Sequence, residues 1–137
     1  MDSPLNFYLK MPKPIKRHLL LQDLSRDHHQ GLLLSWKIRT GFKREVAPKR
    51  MMKYVKWFWN DYLAEHFKIE EETVFTVLGE RHSSVKKALS EHRKIKRLIE
   101  GIDNLEVRLN SIEEQLEQHI RFEERVLFNE IQEVATE

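Results

Sequence analysis

An all-α chain folded as an antiparallel, up-down-up-down four-helix bundle is the architecture the sequence predicts, and three observations carry it. Apolar residues recur at steps of three and four through four long stretches, the period of an amphipathic helix. The breaks between stretches are short and marked by Gly, Pro, Ser and Asn, which makes consecutive helices antiparallel neighbours. No stretch alternates in the manner of a half-buried strand. Composition agrees: 34% of the 137 residues are charged and 40% apolar, with four Gly and four Pro, the balance of a globular helical chain.

Residues 1–17 hold Pro4, Pro12 and Pro14 and read as an irregular lead-in; residues 18–137 form the bundle domain. The first helix is expected from His18 or Leu19 to about Gly41, with Leu20, Leu21, Leu24, Leu32, Trp36 and Ile38 among its apolar residues. Ser25 is an alternative N-cap, and Gly41 is the C-terminal stop. Residues 42–47 make a short basic connection, and Pro48 suits the first position of the second helix. That helix runs to about Leu78, ended by Gly79, with an inner seam of Val55, Trp59, Leu63, His66, Glu70 and Val77. Trp57, Phe58 and Trp59 are packing residues with Trp59 on the seam side, and Tyr62 is core packing, with cavity lining as the alternative.

Ser83 or Ser84 caps the third helix, whose seam is Val85, Ala88, His92, Ile95, Ile99 and Ile102. Asp103 or Asn104 caps the fourth, which continues to about Val134. Its seam is Leu105, Leu109, Ile112, Leu116, His119, Glu123 and Val126.

Those seams contain polar residues where leucine is expected. Residues 116–128, LEQHIRFEERVLF, place His119 and Glu123 four apart and so on one helix face. Residues 63–75, LAEHFKIEEETVF, do the same with His66 and Glu70. The two segments share Leu at −3, Glu at +4 and +5, and Phe at +9 from the histidine. Counting at 1.5 Å per residue from the helix ends puts His66, His92 and His119 roughly 18, 14 and 22 Å deep, one layer within boundary error. His28 or His29 reaches about the same depth on the first helix. Two facing buried carboxylates would repel, and each would cost several kcal/mol unpaired. A metal pair held by neutral imidazoles and bridging glutamates removes both costs. The competing reading is a metal-free His–Glu network in a wet core.

For the first helix, Asp27–His28 matches the acid–His dipeptide Glu91–His92, and the summed apolar direction lies nearer His28. Leu32, Leu33 and Trp36 follow His29 at +3, +4 and +7 and favour that residue instead. His28 is preferred. Glu71 and Glu124, turned about 100° from their neighbours, are expected to partner the ligands or to be solvated. His82 is expected to be exposed, and His18 to start the first helix two to three turns from the site.

The chain has no cysteine, which removes disulfides, thiolate metal sites and cysteine nucleophiles. His and carboxylate ligands suit iron, manganese or zinc. Formal net charge is +2, but residues 1–60 carry 13 basic and 4 acidic side chains and residues 61–137 carry 11 and 18. The bland reading is solvated bundle exteriors; the sharper one is a surface for an acidic protein partner. No nucleic-acid motif is present. No signal-peptide pattern or membrane span is visible, and a cytoplasmic location is expected.

The interleaved pattern of His28, His66–Glu70, His92 and His119–Glu123 resembles the hemerythrin-like HHE cation-binding domain family. KRHLLLQDLSRDHHQGLLLSWKIRTG also looks like the opening of its bacterial members, and the resemblance spans roughly residues 15–134. It implies a four-helix bundle holding a non-haem di-iron centre with an oxygen bridge, ligated by His28, His66, Glu70, His92, His119 and Glu123. Zinc or manganese could replace the iron. Implied roles are binding or sensing dioxygen or nitric oxide, buffering or donating iron, or stress response. Oxygen-carrying members place a further histidine four residues after the third-helix histidine; here that residue is Lys96, so reversible oxygen carriage is not expected. Ferritin-like di-iron oxidases show Glu-x-x-His, the reverse order at a different spacing. Alternatives in other classes are a helical interaction module with a structural metal and a weak di-iron oxidase or peroxidase.

Overall fold

A computed structural model describes residues 18–135. The lead-in over residues 1–17 and the side chain of Leu20 lie outside the described residues. Four helical rods follow one another, with no strand among the described residues. Helix α1 is Leu19–Lys43. Helix α2 begins with Pro48–Phe58, passes through a π-turn at Trp59–Leu63, continues as Ala64–Ile69, and ends in a second π-turn, Glu70–Val74, and a 3₁₀ turn, Phe75–Val77. Helix α3 is Ser83–Glu100. Helix α4 comprises Leu105–Phe122, a π-turn at Glu123–Leu127, and Phe128–Ala135.

Side-chain pairs show that neighbours run antiparallel. Between α1 and α4, His28 meets Glu123 and Glu124, while Ser35 and Arg39 meet Glu113. Numbers rise on one helix as they fall on the other. Asp27–His66 and Lys37–Tyr54 order α1 against α2 in the same way, and Ser84–Glu130 with Glu91–His119 order α3 against α4. This is the expected bundle.

Two apolar clusters fill it. The larger contains Leu34, Ile38, Val55, Phe58, Ile95, Leu109, Ile112 and Leu116; the smaller contains Leu21, Leu24, Val74, Phe75, Val85, Ala88, Leu127, Phe128 and Ile131. On every rod the histidines and glutamates lie where one cluster gives way to the other, with Phe67 and Ile120 of the larger cluster directly following His66 and His119.

Several local expectations need correction. Gly41 lies inside α1, and a Cβ there would come within 2.4 Å of Met51 Sδ. It is a close-approach residue, and the chain turns instead at Glu45, with φ 59°. Gly79, with φ 89°, does end the second rod, a conformation cheap only for glycine. Ser25 lies within α1 and is not its cap. His82 caps α3, its Nδ1 accepting from the Ser84 amide at 3.2 Å, so Ser83 and Ser84 already belong to the helix. Asn104 caps α4 by accepting from the Val107 amide. Of the aromatic run, Phe58 is buried and Trp59 packs partly buried against the larger cluster, as expected of the seam side, but Trp57 is exposed and is not a packing residue.

Ile102 is 97% exposed because α3 stops at Glu100. Val77 and Val126 are exposed for another reason. The amides of Phe75 and Phe128 bond to the carbonyls of Glu70 and Glu123, five residues back. Each π-turn delays the seam by about one position, so Val74, Phe75, Leu127 and Phe128 are buried instead.

Buried Arg108 joins the end of α3 to α4. Its guanidinium donates to the terminal α3 carbonyls of Leu98 at 2.9 Å and Ile99 at 3.0 Å, and to the carbonyl of Asp103 in the connection at 3.4 Å. Arg108→Ala is expected to cost about 2–4 kcal/mol, from charged hydrogen bonds and lost packing. Urea denaturation measures it, and a change below about 0.5 kcal/mol would contradict this role.

Candidate metal centre

The layer between the apolar clusters gathers His28, His66, Glu70, His92, His119 and Glu123, each no more than 4% exposed. His29, one position along α1, faces outward. The helix rotates about 100° per residue, so only one of the two can face the axis, and it is His28.

Ligand-capable atoms of His28, His66, Glu70 and Glu123 lie within 4.8 Å of one another, and so do those of Glu70, His92, His119 and Glu123. Both glutamates are common to the two groups. The histidines divide in pairs, with ring centroids 4.8 Å apart for His28–His66 and 4.7 Å for His92–His119.

Every histidine turns Nε2 inward. Nε2 of His28 is 2.8 Å from Glu123 Oε1; that of His66 is 3.2 Å from Glu70 Oε1, that of His92 3.2 Å from the same oxygen, and that of His119 3.2 Å from Glu123 Oε1. Among these only the His28 contact has hydrogen-bond geometry. The Nε2 atoms of His66, His92 and His119, both Glu70 oxygens and Glu123 Oε2 are buried without a hydrogen-bond partner. Buried polar atoms left unpaired cost about 1–3 kcal/mol each. An imidazole nitrogen and carboxylate oxygens converging on shared points are a donor set that a divalent or trivalent cation satisfies.

The outward Nδ1 atoms are all paired. Glu124 holds His28 at 2.7 Å, Asp27 holds His66 at 3.1 Å, Glu71 holds His92 at 2.7 Å and Glu91 holds His119 at 2.8 Å. Glu71 and Glu124 thus partner the inward histidines. Asp27 and Glu91 had been visible only as acid–His dipeptides, and each partners a histidine on another helix.

These carboxylates govern titration in the metal-free chain. Burial alone lowers His28, but hydrogen bonds to Glu123 and Glu124 and the charges of Glu123 and Glu70 outweigh it, lifting the ring to about 10. Burial is likewise outweighed at His66 by the Glu70 charge and the Asp27 hydrogen bond, lifting it to about 9. His92 and His119 are also raised against burial, by Glu123, Glu70 and Glu71 for the first and by Glu123 and Glu91 for the second. Burial opposes ionisation of Glu123, yet His119, His28 and His92 hold its carboxyl well below 4.5. Without a metal, protonated rings on His28, His92 and His119 thus offset the Glu123 carboxylate.

Aromatic rings wall the layer. Phe67 stacks on His92 at 3.7 Å and Phe128 on His28 at 5.1 Å. Beside His28, His66 and His119 lies a cavity of about 70 Å³ whose other walls include Gly31, Phe58, Leu63, Phe67 and Leu116, room for one or two water-sized molecules. Exposed Tyr62 lines this cavity and is not a core residue. Lys96 is exposed on α3. The remaining histidines, His18, His29 and His82, lie outside the layer; His82 pairs with Glu130 at 3.3 Å.

No helix of the described residues is long and apolar enough to cross a membrane. Compared with protein families, residues 20–131 match the hemerythrin HHE cation binding domain. No curated protein and no solved structure matches the chain.

Proposed function

Because the chain belongs to the hemerythrin HHE cation-binding domain family, we propose that it holds two iron ions and uses them to bind or sense dioxygen or nitric oxide, or to buffer and donate iron. His28 and His66 would hold one ion and His92 and His119 the other, with Glu70 and Glu123 available to both. The observation that supports this most is the set of partnerless inward atoms falling into two groups that share both carboxylates. When bound, such an iron pair supplies a change of oxidation state and a coordination position for a small ligand.

The chain's own residues do the rest. The glutamates, which have no exposure to solvent, would cancel cation charge in the layer, and the outward carboxylates keep the imidazoles oriented. The small, mostly apolar cavity beside His28 and His66 suits a diatomic ligand. Only four of the seven histidines reach the layer, and Lys96 stands where oxygen-carrying members have a further one, so the reading is sensing or iron handling, not carriage.

Protein purified under iron-replete conditions is expected to contain about two irons per chain, with near-ultraviolet iron bands that change on adding dithionite and then air or nitric oxide. Fewer than about half an iron per chain, with melting unaffected by chelator, overturns the reading. His28→Ala is expected to lower iron retention at least about tenfold and His29→Ala to leave it unchanged; loss only in the second variant would reverse the assignment.

A second reading, an interaction module with a structural metal, draws on the outer face of α1 and α2. Trp36, Tyr54, Trp57 and Tyr62 are all exposed there, and Lys37 donates to the Tyr54 hydroxyl at 2.9 Å. Iron bands that respond to neither dithionite nor nitric oxide favour it, with an acidic protein as the partner.

A further inference from the structure

The outward carboxylates follow one another around the bundle in a single direction. Asp27 on α1 holds His66 on α2; Glu71 on α2 holds His92 on α3; Glu91 on α3 holds His119 on α4; and Glu124 on α4 returns to His28 on α1. Each acid is the chain neighbour of an inward residue on its own helix: Asp27 of His28, Glu71 of Glu70, Glu91 of His92, Glu124 of Glu123. One residue of helical rotation, about 100°, swings it from the axis toward the adjoining rod.

We infer that Asp27, Glu71, Glu91 and Glu124 form a closed ring of positioning residues, in which each helix orients the metal-facing histidine of the next. The inference rests on the metal-binding reading above and adds four residues that do not themselves face the metals. An imidazole can present either nitrogen inward, and rotation of the ring exchanges them. An acceptor fixed at Nδ1 selects the orientation with Nε2 inward and makes Nδ1 the protonated nitrogen when Nε2 ligates. The carboxylates bind at Nδ1, across each ring from the shared layer, which separates them from the ligand set.

Their exposures rank them. The side chains of Glu124 and Glu91 are 19% and 21% exposed, whereas Asp27 and Glu71 are 53% and 43% exposed. Hydrogen bonds shielded from water contribute more than solvated ones, so α3 and α4 supply the stronger half of the ring. Because the ring closes, no helix can shift along its neighbour without disturbing both the histidine it carries and the histidine it holds.

The test is the rate at which the iron-loaded full chain gives up iron to excess chelator. Glu91→Ala and Glu124→Ala are expected to release it about 10–100-fold faster than wild type. Glu91→Gln and Glu124→Gln, whose amide oxygens still accept from Nδ1, are expected to stay within about fivefold, having lost only the charge assistance. Asp27→Ala and Glu71→Ala fall between, and Glu114→Ala, an exposed glutamate outside the ring, leaves the rate unchanged. Alanine variants releasing iron at the wild-type rate overturn the inference, as do glutamine variants that release it as fast as alanine, since charge and not direction would then matter. Should an alanine variant fail to fold, nitrogen NMR of the zinc-loaded wild-type chain decides: four protonated Nδ1 atoms support the ring, and a protonated Nε2 on any of the four histidines overturns it. A wild-type chain that takes up no metal removes the metal-binding reading and this inference together, an outcome distinct from unchanged release by the variants.

Discussion

Glu123→Ala, and equally Glu70→Ala, is expected to empty both metal positions at once, lowering iron from about two per chain to below about half, whereas His119→Ala retains about one. The difference follows from sharing. Glu70 and Glu123 belong to both groups of converging atoms, while each histidine belongs to one. Loss of a glutamate also removes the anion that cancels cation charge in a layer where neither carboxylate has any exposure. Buried charge without its counter-charge costs several kcal/mol, so the remaining ligands would hold neither cation through purification. Metal analysis of the purified variants measures the outcome. Iron near two per chain in Glu123→Ala would show that the carboxylates do not bridge.

Stability of the metal-free chain is expected to fall as pH rises from about 6.5 through 9 to 10, and metal binding is expected to reverse that trend. His28 and His66, lifted to about 10 and about 9 from an ordinary 6.5, bind protons more tightly folded than unfolded. Their contribution is complete below 6.5, where both states are protonated, and disappears as the folded rings lose their protons. His92 and His119 are displaced the same way. Glu123 has the opposite sign: held well below 4.5, it contributes above that value and the contribution is lost as pH falls. The metal-free optimum thus lies between about pH 4.5 and 6.5. Metal must displace protons from the four inward nitrogens, so its affinity rises across the window in which the metal-free fold weakens. Thermal melting with chelator and with added iron, at pH 6, 7.5 and 9, is the measurement. A metal-induced gain in melting temperature that shrinks toward pH 9 would contradict the protonated-ring account.

Counting along the sequence located the layer because the π-turns at Trp59–Leu63, Glu70–Val74 and Glu123–Leu127 each displace the helix by only about one residue. His66, His92 and His119 sit at the common depth that the 1.5 Å rise predicts, and the seams from Val55 to Glu70, Val85 to Ile99 and Leu109 to Glu123 are buried apart from the partly covered Trp59. The choice between His28 and His29 rested on two opposed patterns, and burial decided it. Beyond each glutamate the regular period stops applying. The π-turns at Glu70 and Glu123 leave Val77 and Val126 exposed. A signal for them was present in the duplicated segment, whose phenylalanines lie five residues after each glutamate and are buried in both copies. An unbroken helix would not carry that spacing on one face.

The sequence by itself determined the four rods, their alternating direction and five polar residues of one layer, with the sixth narrowed to His28 or His29. These follow from periodicity, short connections and the repeated HxxxEE unit, all local along the chain. Only the tertiary structure decided which acid serves which histidine. Asp27 is next to His28 in the chain yet bonds His66, and Glu91 is next to His92 yet bonds His119. A side chain rotated 100° from its neighbour leaves the axis and reaches whatever the adjoining helix brings to the same height. That height depends on rigid-body packing of separate rods, which no spacing within one rod contains.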